Sequence, residues 1–182
     1  MRARLRQWIF VASALVLGWT DEVLATVYLT REEATRLAFG PSATVAEESK
    51  WLTPAARAAV EQRLGRPVPE ERFTFYVGRS AQAVEGYGVL LNEMGKHEPI
   101  TFFVAIAPDG HVKDVMILEY RETRGGEVRQ KNFMKQYVGK TSQAPLALEE
   151  DITPLTGATI SARAISDGVK KALLIWEACY TP

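Results

Sequence analysis

The chain has 182 residues, 47% of them hydrophobic and 24% charged, and its 22 Lys+Arg balance 22 Asp+Glu. That is apolar material for one core, without the basic excess a nucleic-acid binder needs. The single cysteine, Cys179, excludes an internal disulfide, a dithiol redox site, a thiolate cluster and paired cysteines for haem. His97 and His111 are the only histidines, too few for a His-rich metal site, so no metal ligands are assigned and any redox chemistry falls to an organic cofactor.

Residues 1–25 read as an export signal. Arg2, Arg4 and Arg6 form a positive start, Ile9 to Trp19 an apolar run, and Val23-Leu24-Ala25 a small-residue cleavage site. The run is shorter than the roughly 20 residues a spanning helix requires, so a cleaved leader is the first expectation and an uncleaved anchor the second. Three arginines, Asp21 and Glu22 belong to this leader, so the remainder carries one more acid than base.

A segment over 26–71 is expected to be helical. Thr30-Arg31-Glu32-Glu33 is a capping box that starts a helix running to about Phe39, where Gly40-Pro41 ends it. Thr53-Pro54 starts a second helix that stops at Gly65, and Pro67 and Pro69 mark a linker. Over 72–182 the pattern predicts a second unit. Strands are expected over Phe73–Val77, Ala83–Leu91 (with Gly86 and Gly88 inside it), Ile100–Ala107 and Val112–Tyr120, the last two joined by the Pro108-Asp109-Gly110 turn. His111 is then an exposed turn residue. Val128 to Val138 reads as a helix stopped by Gly139. The last helix runs from about Ser161 to Trp176, with Ile165, Val169, Leu173 and Trp176 on one face. The fold class is α+β: an antiparallel-rich sheet with N-terminal helices, a mid-chain helix and a C-terminal helix.

Three segments carry candidate chemistry. In Thr156-Gly157-Ala158-Thr159-Ile160-Ser161, small and hydroxyl residues precede a helix. Unpaired N–H groups and the helix dipole favour a phosphate there; the alternative is a helix N-cap supplied by Thr159 or Ser161. In Glu122-Thr123-Arg124-Gly125-Gly126, directly after a strand, paired glycines let the backbone approach a flat ligand; the alternative is a plain connecting loop. In Phe133-x-x-Gln136-Tyr137-x-Gly139-Lys140 the aromatics are expected in the core and Lys140 in solvent. Trp51, Tyr87 and Tyr120 are also assigned to core packing, with lining the ring of a flat ligand as the alternative. No general base has a positioned partner, so no substrate-converting site is assigned.

In this order, E-T-x-G-G, F-x-x-Q-Y-x-G-K and T-G-A-T-I-S resemble the exported FMN-binding domain over about residues 84–176. That domain occurs in the periplasmic flavin subunits of the sodium-pumping quinone reductase and its ferredoxin-linked relatives, and in small standalone exported flavoproteins. The resemblance implies FMN as cofactor, joined by a phosphoester to the last threonine of G-A-T, here Thr159. A separate flavin transferase using FAD and a divalent metal makes that bond. It further implies a periplasmic electron carrier, membrane-anchored if the leader is retained, whose partner is a membrane quinone-linked complex or a periplasmic redox protein.

Two positions depart from the family pattern. Where the family has an aspartate six residues before the modified threonine, this chain has Thr153, and Asp151 lies two residues further upstream. That aspartate belongs to the transferase's recognition pattern. Non-covalent FMN, or a flavin-free assembly or sensing module, therefore stands as the alternative. Arg124 replaces a proline; it either faces the flavin or its phosphate as a fixed positive charge or is a solvated loop arginine.

Overall fold

A computed structural model describes residues 26–81 and 83–181; residues 1–25, expected to be an export signal, lie outside the described residues. A six-stranded sheet, antiparallel throughout, runs in the order β1-β6-β5-β4-β3-β2. Its strands are β1 (Thr26–Val27), β2 (Thr44–Trp51), β3 (Arg72–Ser80), β4 (Ala83–Met94), β5 (Pro99–Ile106) and β6 (Val112–Tyr120). β2 to β6 form a meander, and two-residue β1 returns to the β6 edge.

Each face of the sheet has a core. Helix α1 (Arg31–Phe39) covers one face, burying Ala34, Ala38 and Phe39 on Tyr76, Phe103 and Met116. Its capping box forms as the sequence predicts: Thr30 Oγ1 accepts from Glu33 N at 3.1 Å, and Glu33 Oε2 accepts from Thr30 N at 2.8 Å. The larger core lies on the other face, under α2 (Pro54–Leu64) and the 22-residue α4 (Thr159–Tyr180). Ile165, Val169 and Leu173 are fully buried, and Gly168 lets α4 press onto β5, where a Cβ would stand 2.4 Å from Phe102 Cζ. Alternation of inward residues with period two on both faces explains the near-continuous apolar run of β5.

Three sequence expectations fail locally. The segment over 26–71 is not all helix, because Thr44–Trp51 extends as the exposed edge strand β2 paired to β3. The helix over 128–138 is broken into a 3₁₀ turn (Gly126–Arg129), a short helix α3 (Lys131–Met134) and a second 3₁₀ turn (Lys135–Tyr137). Gln130 is extended, at φ −61° and ψ 130°, and resets the phase, so that Val128, Phe133 and Tyr137 all point inward without one continuous helix. Trp51 is 64% exposed at the end of β2 and belongs to no core. Tyr87 packs as expected, against Trp176 and Tyr180. The C-terminal helix starts two residues earlier and ends four later than its apolar stripe suggests. Among the described residues no helix is long and apolar enough to cross a membrane.

Candidate functional site

The two glycine-containing motifs meet. The loop after β6 and the first turn of α4 line one cleft of about 470 Å³, with the β4–β5 turn as a third wall. Glu122, Thr123, Arg124 and Gly125 come from the loop, Gly157 to Ser161 from the helix start, and Lys96 and His97 from the turn. Thr156 and Gly126 do not line it. Thr156 is exposed just before the cleft, and Gly126 borders a shallower hollow with Glu127 and Arg129. A cleft of this size lies within the usual range for a small-molecule site, about 300–1,000 Å³.

The helix start is built without a cap. Gly157 takes the left-handed conformation at φ +82°, and Ala158 is the N-cap residue, with no side-chain hydrogen bond. The alternative in which Thr159 or Ser161 serves as the cap is thereby corrected: both are helical residues. Ala162 N donates to Ala158 O at 2.8 Å, so the amides of Thr159, Ile160 and Ser161 precede the first intrahelical bond. They open into the cleft with the positive end of a long helix dipole behind them.

The motif's hydroxyls have different fates. Ser161 is buried and its Oγ lies 2.9 Å from the Tyr120 hydroxyl, which donates to Arg124 O at 2.6 Å. This buried chain ties the loop to the helix start. It explains Gly125, at φ +83°, where a Cβ would sit 2.8 Å from both Ser161 Oγ and Tyr120 Oη. Thr159 is exposed, lines the cleft and forms no side-chain hydrogen bond among the described residues. Ile160, 50% exposed, puts an apolar surface beside it.

Glu122 acts as an anchor. Its Oε1 accepts from His97 N at 2.6 Å and Glu98 N at 3.1 Å, holding the β4–β5 turn against the loop. Burial opposes its charge, yet the amides of His97, Glu98 and Lys96 together hold the carboxyl below its usual range. With a folded-state pKa below the unfolded one, the unfolded chain takes up the proton first as pH falls. The stabilisation is thus present above an unfolded value of about 4.3 and is lost as pH drops through the lower folded value. Thermal unfolding followed from pH 6 downward is expected to show a smaller acid-dependent loss in Glu122→Gln than in the parent.

The F-x-x-Q-Y-x-G-K segment braces the approach to α4. Gln136 exchanges two hydrogen bonds with the Thr153 backbone, at 3.2 and 2.7 Å. Lys140 is not free in solvent as expected but pairs with Asp151 at 2.8 Å, and Asp151 also accepts from Ala147 N at 2.9 Å. Phe133 and Tyr137 are buried as expected, and the Tyr137 hydroxyl lies 2.9 Å from Ser166 Oγ. Lys96 and His97 escape a reading of the sequence; their only signal is the Gly95 to Pro99 turn between two strands.

Comparison with known proteins shows what this part of the chain is similar to. Residues 95–174 match the family model described as the FMN-binding domain. The chain is 25% identical over 128 residues to one component of the Na(+)-translocating ferredoxin:NAD(+) oxidoreductase complex of Acetobacterium woodii, covering 65% of this chain and 62% of that protein. It is 29% identical over 106 residues to the like-named component of the proton-translocating ferredoxin:NAD(+) oxidoreductase complex of Clostridium ljungdahlii, covering 54% and 57%. The chain thus spans about three fifths of the length of these curated relatives. The resemblance read from the motifs is borne out: residues 95–174 match the FMN-binding domain, and that match supports FMN as the cofactor.

Proposed function

We propose that this FMN-binding domain is an exported electron carrier of a membrane redox complex, holding FMN with its phosphate at the α4 N-terminus in a phosphoester to Thr159. The observation that carries the reading is the convergence of three uncapped helix amides, the exposed Thr159 hydroxyl and the Lys96 and Arg124 side chains on one cleft. These groups fit a flavin phosphate: amides and cations favour its charge, and Ile160 and the glycine backbone offer flat apolar contact. Bound FMN supplies the redox chemistry; the chain positions it and controls access. Leader residues 1–25 supply export or an anchor, and the segment over 26–71 adds β1 and β2 to the sheet of the flavin unit over 72–182. The partners are a flavin transferase for attachment and, for electrons, a membrane quinone-linked complex or a periplasmic redox protein. The similarity to components of ferredoxin:NAD(+) oxidoreductase complexes supports a membrane complex as the electron partner.

A second reading, non-covalent FMN or a flavin-free assembly or sensing module, is favoured by Thr153. It occupies the aspartate position, while Asp151 is engaged by Lys140 and the Ala147 amide. Titration of free FMN into the full chain separates an FMN-binding chain from a flavin-free module, because the latter leaves FMN fluorescence unquenched, and mass analysis of the Thr159 peptide separates covalent from non-covalent FMN. If FMN binds at this cleft, Arg124→Glu is expected to weaken it by about 1 kcal/mol, roughly fivefold in Kd, and to flatten its salt dependence. An unchanged Kd would remove Arg124 from the site.

A further inference from the structure

A hollow of about 570 Å³ lies away from the cleft, along the outer edge of β6. β1 pairs only with the end of β6, through Thr26 opposite Tyr120 and Val27 opposite Glu119, and Tyr28 N then donates to Leu118 O at 2.8 Å. At the other end, Val112 exchanges backbone bonds with Gly139 and Lys140, both at 2.8 Å. Between these points no strand among the described residues pairs with the outer edge over 113–117. Val115 N is held by its neighbour, Asp114 Oδ1, at 2.8 Å.

Walls rise on both sides of this open edge. On the α1 face stands Leu37, 65% exposed; on the opposite face stands Met134 of α3. Five residues of β-strand span roughly 17 Å at about 3.4 Å per residue, so the edge is long enough for a short added strand. An open edge with apolar walls is the arrangement by which folded domains recruit extended peptides.

Charge selects the occupant. Arg129, Lys131 and Lys135 line the slot, and none of them forms an ion pair among the described residues. The one acid facing them from the slot is Asp114. We propose that this slot docks an extended segment of a partner protein, added to β6 as a strand, with acidic side chains toward Lys131 and Lys135 and apolar ones toward Leu37. Alternation of the two along the segment follows from the period of a strand. The chain's own leader is the wrong sign, carrying Arg2, Arg4 and Arg6. A second copy pairing β6 to β6 would set cations against cations.

The slot is separate from the flavin cleft, and its test does not depend on flavin. A displayed library of eight-residue peptides is panned on the full chain, with counter-selection on Lys131→Glu/Lys135→Glu. Recovered peptides are synthesised and their binding measured by anisotropy. The expected result is enrichment of alternating acidic and apolar residues and slowed amide exchange at residues 115–117 on binding. Affinity should fall about tenfold or more in the charge-reversed variant and in Leu37→Asp, with unfolding curves and FMN titrations unchanged. No enrichment over the counter-selected variant, enrichment of basic or uncharged sequences, or self-association of the chain through this edge would overturn the proposal.

Discussion

Gly125→Val is expected to abolish FMN binding and to destabilise the fold by about 3 kcal/mol, from left-handed backbone strain plus lost hydrogen bonds. Gly125 stands at φ +83°, which a β-branched residue adopts only under strain, and its Cβ would collide with Ser161 Oγ and Tyr120 Oη, both 2.8 Å away. Neither neighbour can yield cheaply, because Tyr120 and Ser161 are buried and bonded to each other, and the Tyr120 hydroxyl also donates to the Arg124 carbonyl. Valine would therefore wedge the loop off the helix start and open the cleft. Gly126→Ala is the matched control: its Cβ meets nothing closer than Arg129 at 3.5 Å, so it is expected to stay within about 0.5 kcal/mol of the parent. Urea unfolding and FMN fluorescence titration of both variants read the difference. Equal behaviour of the two would refute the clamp.

Lys171→Met is expected to cost about 3 kcal/mol, because it strands a buried carboxylate. Lys171 is 3% exposed on α4, and its Nζ lies 2.5 Å from Glu93 Oε1 on β4 and 3.0 Å from Glu70. The Glu93 contact is an ion pair without hydrogen-bond alignment, and the other Glu93 oxygen is held by Arg66 at 2.8 Å. Glu70 and Arg66 reach solvent, but Glu93 is 7% exposed and cannot rehydrate. The double variant Lys171→Met/Glu93→Leu is accordingly expected to recover most of the loss, since it removes both buried charges. Chemical denaturation of the single and double variants measures the coupling; additive losses would show that the pair is not a unit.

The parts of the fold that are legible in the sequence are those with local signals. The capping box at Thr30, Pro54 at a helix start and the Pro108-Asp109-Gly110 turn each carry their chemistry within a few residues, and each appears where expected. β2 is not legible because Thr44–Trp51 is an edge strand, exposed along nearly all its length, with no apolar alternation to mark it. The mid-chain helix misleads because buried residues at 128, 133 and 137 mimic helical spacing across a break at Gln130. In the cleft, the motifs point to the loop and the helix start, but not to the bond between Ser161 and Tyr120 or the hold of Glu122 on the β4–β5 turn. Those roles depend on partners 25 and 41 residues away, which no local pattern reports.

We propose that this domain holds FMN at the start of α4, on the Thr159 hydroxyl. Peptide mass analysis tests it most directly, on the full chain exported from cells that also make a flavin transferase. FMN mass is expected on the peptide containing Thr159, retained in Thr156→Val and absent in Thr159→Val. Flavin absorbance with no added mass on that peptide would contradict the phosphoester, and protein with neither added mass nor flavin absorbance would contradict the site itself.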